Sequence, residues 1–334
     1  MNVLSLFDGM SCGHIALDRL GIKVDKYYSA EIDKYAMKVT DRNYPGTIQL
    51  GDVNKVYGKD LPKIDLLLGG SPCQGFSYAG KQLNFNDPRS ALFFEFVRLL
   101  KECKPKYFLL ENVVMQQEFQ DVINQYVGVK PIFINSSVVS AQNRQRLYWT
   151  NAKVTSIPED KRIFLKDILE YDAANEFSEP YVKLNGSETG VVGHVGRQPK
   201  QATRIYSSDD KSQCLLALGG GQGAKTGLYQ IDKNPDNPHP KRQVDIFDGI
   251  REKSRTVRAG GRLSYCRHEW DSVGNKNSPY FYRKLTVTEC ERLQTVPDGY
   301  TEGVSMTQRY KMLGNGWTVD VIVHLLKNIK EETL

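Results

Sequence analysis

The sequence lacks several patterns that would place it in common protein classes. Its 334 residues contain no apolar run of about 18 residues, so neither a transmembrane helix nor a membrane partner is expected. The first residues lead directly into a strand-like segment without a basic region, which argues against a signal peptide. None of the six cysteines forms a C-x-x-C pair, so neither a zinc site nor a disulfide framework is expected. These absences predict a cytoplasmic protein without a metal ion.

The first turn of the chain lacks the G-x-G-x-x-G motif. Residues 3–7 predict a strand and residues 14–20 an amphipathic helix, and the turn between them reads Asp-Gly-Met-Ser-Cys-Gly. A strand, a glycine-containing turn and a helix begin many nucleotide-binding α/β units. The missing motif argues against a dinucleotide-dependent oxidoreductase. The glycine-rich segment 219–223 is no Walker loop, because Gly-Lys-Ser/Thr does not follow it at the required spacing.

Acidic residues follow the next two predicted strands. The strand over residues 26–30 ends at Glu31, where an acidic side chain can hold both ribose hydroxyls of a nucleoside. A helix over 33–43 and a short strand over 47–50 follow, and Asp52 is placed to accept a hydrogen bond from an adenine amino group. For Asp52 alone, capping of a turn or helix is the commoner role. Strand ends that carry Gly, then Glu, then Asp together predict a nucleoside-binding edge.

A single cysteine follows a continuously apolar segment. Residues 64–68 predict a buried parallel strand, and the segment after it reads Gly-Gly-Ser-Pro-Cys-Gln-Gly-Phe-Ser. Ligands of open α/β sheets bind outside the carboxyl ends of the strands, so Cys73 is placed as a nucleophile would be. The alternative is a small buried core residue, which is the usual fate of a free cysteine.

Two later segments carry further candidate groups. The strand predicted over 107–110 ends at Glu111, a candidate proton donor for which helix capping is the alternative. The segment 142–146 reads Gln-Asn-Arg-Gln-Arg. Because alternate residues of an extended segment point the same way, Arg144 and Arg146 could present donors to one flat substrate. A basic surface patch is the alternative for the two arginines.

The charge excess lies in one region. Residues 181–282 carry 16 Lys/Arg, 10 Asp/Glu and 13 of the 28 glycines, so their net charge of +6 equals that of the whole chain. A local basic excess indicates a polyanionic partner, although solvated charged loops are an equal alternative. Short strand-like pieces at 227–231, 255–259 and 279–282 predict a loop-rich, β-containing second domain.

Regular structure is predicted on both sides of this region. A helix over 88–103 and a strand over 130–139 precede it. After it, Thr286 and Glu289 predict a capped helix, and a final helix is predicted over 319–330. The predicted domains are a catalytic domain at 1–170, a recognition domain at 181–282 and a return to the catalytic domain at 283–334.

Together these motifs resemble those of the DNA cytosine-5 methyltransferases. Ser-Pro-Cys-Gln-Gly-Phe-Ser resembles the family's nucleophile motif, Glu-Asn-Val its second catalytic motif and Gln-x-Arg-x-Arg its third. The turn at 7–13 and the segment 314–319 resemble the animal de novo branch. The resemblance implies an α/β fold with a Rossmann-like, AdoMet-dependent mixed sheet and a smaller β/loop-rich target-recognition domain. It also implies S-adenosyl-L-methionine as cofactor, no metal, and double-stranded DNA as partner of a monomeric enzyme.

The resemblance also implies site residues. Cofactor binding is expected at Phe7, Asp8, Gly9, Met10, Ser11, Cys12, Glu31, Ile32, Asp52, Val53, Pro72, Asn315, Gly316 and Trp317. DNA contacts are expected at Gln74, Ser77, Lys81, Arg89, Arg255, Arg258 and Arg262.

The implied reaction is addition of Cys73 to C6 of a flipped-out cytosine, followed by methyl transfer to C5. Glu111 would bind N3, Arg144 the O2 oxygen, and Arg146 the cysteine loop or a phosphate. A tRNA cytosine-5 methyltransferase is the alternative within this chemistry, and a catalytically inactive DNA-binding protein is the alternative outside it. The basic, glycine-rich region favours duplex DNA. Restriction-modification, phage defence and regulation are all compatible purposes.

Overall fold

A seven-stranded mixed sheet forms the centre of the protein. The computed structural model describes residues 1–71, 91–170, 179–180, 190–194, 204–215, 228–231 and 281–329. The strand order is β3-β2-β1-β4-β5-β7-β6. Strand β7 runs antiparallel to both of its neighbours, whereas the other neighbouring strands pair in parallel. The strands are β1 (Asn2–Leu6), β2 (Lys26–Ala30), β3 (Ile48–Gln49), β4 (Leu66–Gly70), β5 (Tyr107–Val113), β6 (Ile132–Asn135) and β7 (Gln145–Thr150).

Helices cover both faces of this sheet. They are α1 (Cys12–Leu20), α2 (Lys34–Asn43), α3 (Ala91–Cys103), α4 (Gln117–Val127), α5 (Val287–Leu293), α6 (Met306–Asn315) and α7 (Val319–Leu326). Within the part of the chain that the structure describes, no helix has the length and apolar character needed to cross a membrane.

Apolar side chains of the central strands are buried on both faces of the sheet. Val3 and Leu66 belong to a cluster that also contains residues of α1 and α7. Their sequence neighbours Leu4 and Leu67 belong to a second cluster with residues of α3 and α4. Successive strand residues point to opposite faces, so burial on both faces requires continuous apolar runs rather than alternating ones.

The sequence predicted a strand over 107–110 that ends at Glu111. In the structure β5 continues to Val113, so Glu111 lies within it. The strand continues because β7 pairs with it through Val113, which lies opposite Arg146. On its other side β5 pairs with β4, whose last residue, Gly70, lies opposite Glu111. Glu111 is therefore level with the carboxyl end of the strand that leads towards Cys73.

Other element ends differ modestly from the predicted ones. The strand predicted over 130–139 is only Ile132–Asn135, followed by a 3-10 turn, Ser136–Val138. The Asn135 side-chain oxygen accepts hydrogen bonds from the backbone nitrogens of Ser137 and Arg144, which stabilises the turn in place of a continued strand.

The capped helix predicted after the basic region is confirmed. Thr286 accepts a hydrogen bond from the backbone N–H of Glu289, and the Glu289 carboxylate accepts one from the backbone N–H of Thr286. The final helix ends earlier than predicted, at Leu326, and continues as a 3-10 turn over Lys327–Ile329.

A second, five-stranded sheet is formed by the region between β7 and α5. Its order is β8-β12-β11-β10-β9. Its strands are β8 (Glu179–Pro180), β9 (Val191–His194), β10 (Arg204–Tyr206), β11 (Leu228–Ile231) and β12 (Phe281–Arg283). Strands β11 and β12 match two of the predicted pieces, and the third, at 255–259, lies outside the described residues. The predicted domain boundaries stay a prediction.

Glu291 of α5 is a buried acidic residue that stabilises the return segment, the part of the chain from α5 to α7. Its side chain is fully buried and accepts hydrogen bonds from the backbone nitrogens of Gly299 and Thr301, at 2.7 and 2.8 Å. It also pairs with Arg309 of α6 at 3.0 Å. Removing one partner of a buried ion pair leaves the other charge uncompensated.

We therefore expect Glu291→Ala to lower the free energy of unfolding by about 3–5 kcal/mol. Glu302→Ala serves as the control, because Glu302 pairs with Arg42 at 2.8 Å on the surface and exposed pairs contribute at most about 1 kcal/mol. Urea unfolding of both variants measures the difference. Equal losses in the two variants would contradict this account of the return segment.

Candidate active site

The site lies at the edge of the first sheet where β4 ends. Asn112 donates a hydrogen bond to the Ser71 hydroxyl at 3.1 Å, which fixes the last described residue before the cysteine loop. Pro72, Cys73 and the predicted DNA-contact residues lie outside the described residues, and their roles stay predictions. Those DNA-contact residues are Gln74, Ser77, Lys81, Arg89, Arg255, Arg258 and Arg262.

Both carboxylate oxygens of Glu111 have a donor. The Arg146 Nε atom lies 2.8 Å from Oε1, and the Trp317 indole Nε1 donates to Oε2 at 3.2 Å. Glu111 is 9% exposed, so the pair is largely screened from water. A carboxylate offers about four acceptor positions. Two donors therefore fix its orientation and leave acceptor capacity for a substrate.

Gly70 makes this approach of Trp317 possible. A Cβ atom added at Gly70 would lie 2.8 Å from the indole Nε1 and 3.3 Å from Oε2 of Glu111. The first of these distances is too short for a real contact. A glycine at the end of β4 is thus required by the close packing of Trp317 over the strand end.

Arg144 is held by backbone carbonyl oxygens of the protein. Its guanidinium is 3% exposed and donates to the carbonyl oxygens of Leu215, Gly314 and Gly316 at 2.9–3.2 Å. Burial and the nearby Arg146 charge lower the pKa of Arg144. The structure thus brings Arg146, and not Arg144, into contact with Glu111.

An open cavity of about 330 Å³ is lined by Arg146, the partner of Glu111. Arg146 and Val113 line one part of it, and Gln213 and Cys214 line another. These last two residues belong to the region between β7 and α5, which we call the inserted region. Nothing in the sequence singled out Gln213 or Cys214, because their approach to Arg146 depends on the path of the chain between β10 and β11.

The turn after β1 is strained and held by Glu31. Phe7 and Ser11 have positive φ angles of 56° and 59°. Glu31 accepts a hydrogen bond from Gly9 N through Oε2, and from the backbone nitrogens of Ile32 and Asp33 through Oε1, all at 2.8 Å. The predicted ribose-binding carboxylate is therefore fixed at the end of β2.

The Asp8 carboxylate is held by three hydroxyl groups of the protein. It accepts hydrogen bonds from the hydroxyls of Ser11, Tyr27 and Ser29, the last two at 2.8 and 3.0 Å. Burial raises the pKa of Asp8. These contacts give Asp8 the role of holding the turn in shape.

Met10 and Cys12 connect the first turn to the last motif. Both are buried, and a Cβ atom added at Gly316 would lie 2.8 Å from the Met10 side chain and 3.4 Å from the Cys12 sulfur. Burial raises the pKa of the Cys12 thiol to about 12, so this cysteine stays protonated at neutral pH. Asn315 ends α6 directly before this contact.

The remaining predicted cofactor residues lie beside Glu31 and after β3. Ile32 is 77% exposed, which leaves an apolar side chain free beside the fixed carboxylate. Asp52 accepts a hydrogen bond from Asn54 N and begins a short 3-10 helix that contains the buried Val53. The capping role weighed for Asp52 is thus present in the structure.

Comparisons with known proteins identify the family of this chain. The family model described as C-5 cytosine-specific DNA methylase matches residues 1–331. Type II methyltransferase M.NlaIV of Neisseria lactamica is 35% identical over 384 residues, covering 88% of this chain and 89% of that protein. Type II methyltransferase M.HhaI of Haemophilus parahaemolyticus is 27% identical over 358 residues, covering 98% and 94%.

Two solved structures support the fold alone, because their sequences are distant. The Entamoeba histolytica methyltransferase EhMeth has a TM-score of 0.67 at 17% identity, covering 100% of this chain and 99% of its own. The S. pombe Dnmt2 methyltransferase has a TM-score of 0.63 at 18% identity, with the same coverage. The predicted methyltransferase fold is confirmed. Since the family match spans almost the whole chain, the protein belongs to the C-5 cytosine-specific DNA methylases and is a DNA (cytosine-5-)-methyltransferase of this AdoMet-dependent family.

Proposed function

We propose that this enzyme methylates C5 of cytosine within one short sequence of double-stranded DNA, after Cys73 adds to C6 of a flipped-out base. The observation that carries the proposal is the position of Glu111. Its carboxylate is oriented by Arg146 and Trp317, level with the end of the strand that leads to Cys73. A nucleophile and an oriented carboxylate at one strand edge suit chemistry on a flat heterocycle.

The residues at the ends of β1 and β2 fit a nucleoside cofactor. The Glu31 carboxylate is fixed by three backbone donors, which leaves about one of its roughly four acceptor positions for a ribose hydroxyl. The exposed Ile32 side chain offers apolar surface for an adenine ring. S-adenosyl-L-methionine bound there would supply an electrophilic methyl group.

Each protein group then has a defined task. The C5 carbon of cytosine is a poor nucleophile, and addition of the Cys73 thiolate to C6 makes C5 an enamine carbon. Glu111 hydrogen-bonds or protonates N3 as negative charge develops on the ring. C5 takes the methyl group with S-adenosyl-L-homocysteine as the leaving group. A base then removes the C5 proton, the Cys73–C6 bond breaks, and any proton placed on N3 returns to Glu111. These steps leave 5-methylcytosine and the free thiol.

Arg146 is better placed than Arg144 to contact the ring. It pairs with Glu111 and also lines the open cavity, whereas Arg144 donates to buried carbonyl oxygens. We therefore propose that Arg146 both orients Glu111 and donates to the O2 oxygen of cytosine. A stacked base cannot reach such a cavity, so the cytosine must leave the helix at a cost of a few kcal/mol. The basic region at 181–282 supplies positive charge for DNA, and Arg255, Arg258 and Arg262 are the proposed reading residues.

Methylation in cells tests the Cys73 mechanism. In cells without other cytosine methylation, expression of the wild-type chain should methylate plasmid cytosines in one short sequence context. Cys73→Ser should abolish this methylation, because a neutral serine hydroxyl adds poorly to C6. Bisulfite sequencing of the plasmids measures both outcomes. Full methylation by the Cys73→Ser variant would exclude the covalent mechanism.

Purified enzyme tests the role of Glu111. We expect Glu111→Gln to lower kcat by about 10²- to 10⁴-fold, the usual contribution of a positioned acid or base. Glu102→Gln is the control, because Glu102 pairs with Arg98 on α3 at 3.0 Å, away from the cavity. Transfer of tritiated methyl groups from AdoMet to plasmid DNA gives both rates. Similar kcat values for the two variants would remove Glu111 from the mechanism.

The nucleic-acid substrate is tested directly. The same tritium assay on plasmid DNA and on unmodified tRNA should label DNA at least tenfold faster. Labelling of tRNA without labelling of DNA would contradict the DNA proposal and favour the tRNA alternative.

A further inference from the structure

Three buried side chains form a polar cluster behind the cavity. Gln142 and Gln294 are fully buried, and Arg144 is 3% exposed. The Gln142 amide nitrogen donates to the Gln294 side-chain oxygen at 3.3 Å, which links two of the members. Together the cluster members contact the inserted region on one side and the segment before Trp317 on the other.

The contacts towards Trp317 are made with the carbonyl oxygens of Gly314 and Gly316. Gly316 O accepts hydrogen bonds from Arg144 Nη2 at 2.9 Å and from Gln294 Nε2 at 3.1 Å. Arg144 also holds Gly314 O through both terminal nitrogens, each at 3.2 Å. Since Gly316 directly precedes Trp317, these donors fix the backbone from which the indole reaches Glu111.

The contacts on the other side reach the inserted region. Leu215 O accepts a hydrogen bond from Arg144 Nη1 at 3.1 Å, and Leu215 N donates to Gln142 Oε1 at 3.0 Å. The backbone of Ser212 exchanges hydrogen bonds with Ala141 and Asn143, at 2.7 and 2.9 Å. Arg144 thus binds both the inserted region and the turn before Trp317, and Gln142 joins the two through Gln294.

We propose that Arg144 is a positioning residue that acts on Glu111 through Trp317, and that it couples the seating of the inserted region to the orientation of Glu111. The proposal rests on the role proposed for Glu111 and deepens it. If Arg144 turned to a substrate oxygen, it would leave the carbonyls of Gly314 and Gly316 with fewer donors in a buried place, which is costly. Its effect on catalysis therefore passes through the indole.

A double-mutant cycle between Arg144→Lys and Trp317→Phe tests this coupling. Lysine keeps the charge but loses the planar fork, and phenylalanine keeps the ring but loses the indole N–H. At saturating AdoMet, each change should lower kcat by about 10- to 100-fold, the range for one hydrogen bond to a charged group. The double variant should be no slower than the slower single variant. Multiplying losses would mean that Arg144 and Trp317 act independently, which would overturn the proposal.

Gln294→Met provides a second variant in case Arg144→Lys does not fold. Gln294 holds the same Gly316 carbonyl but does not line the cavity. Its loss should lower kcat without raising KM for plasmid DNA, and it should not add to the effect of Trp317→Phe. A raised KM with unchanged kcat would contradict positioning of Glu111.

Two controls complete the design. All rates are divided by the AdoMet-binding stoichiometry of each preparation, so that a smaller folded fraction does not imitate a lower kcat. Wild-type enzyme is assayed on the same plasmid in parallel. Absence of wild-type activity would refute the proposed function, whereas active wild-type enzyme with additive variant effects would refute only the coupling.

Discussion

The antiparallel direction of β7 is the constraint on which the site depends. Arg146 lies near the start of β7, and in a parallel strand that position would be at the opposite edge of the sheet from Glu111. Because β7 pairs antiparallel with β5, with Arg146 opposite Val113, its first residues lie at the carboxyl edge of β5. The basic partner of Glu111 thus comes from β7, whose reversed direction allows it to start at this edge.

The second donor to Glu111 comes from much later in the chain. Trp317 is 206 residues away in sequence, and its indole reaches the carboxylate only after the chain has passed through the inserted region and returned. The turn after β1 is closed by the same return, since Tyr300 donates to Met10 O at 2.7 Å. Both parts of the site therefore depend on contacts of high sequence separation, which form late and slow folding.

Much of the fold was predictable because its determinants are local. Apolar runs gave the central strands, and the Thr286–Glu289 pair gave the start of α5. The motif around Arg144 and Arg146 predicted that both arginines could present donors to one flat substrate, but it did not predict the contact of Arg146 with Glu111. Both side chains leave an extended segment on the same side, and their partners come from different elements. The partners of Arg144 are backbone carbonyls, which carry no side-chain signal that a sequence pattern could reveal.

Hydrogen bonds hold the inserted region against residues 137–144. Lys211 donates to the carbonyl oxygens of Ser137 and Ser140, at 2.8 and 3.3 Å, and burial lowers its pKa. Ser212 and Leu215 follow with hydrogen bonds to residues 141–144. An apolar junction could bury similar area and still slide, whereas a shift of one residue here would unpair several buried groups at about 1–3 kcal/mol each. The directional contacts thus permit one register, which fixes the entry of the inserted region relative to the cavity that Arg146 lines.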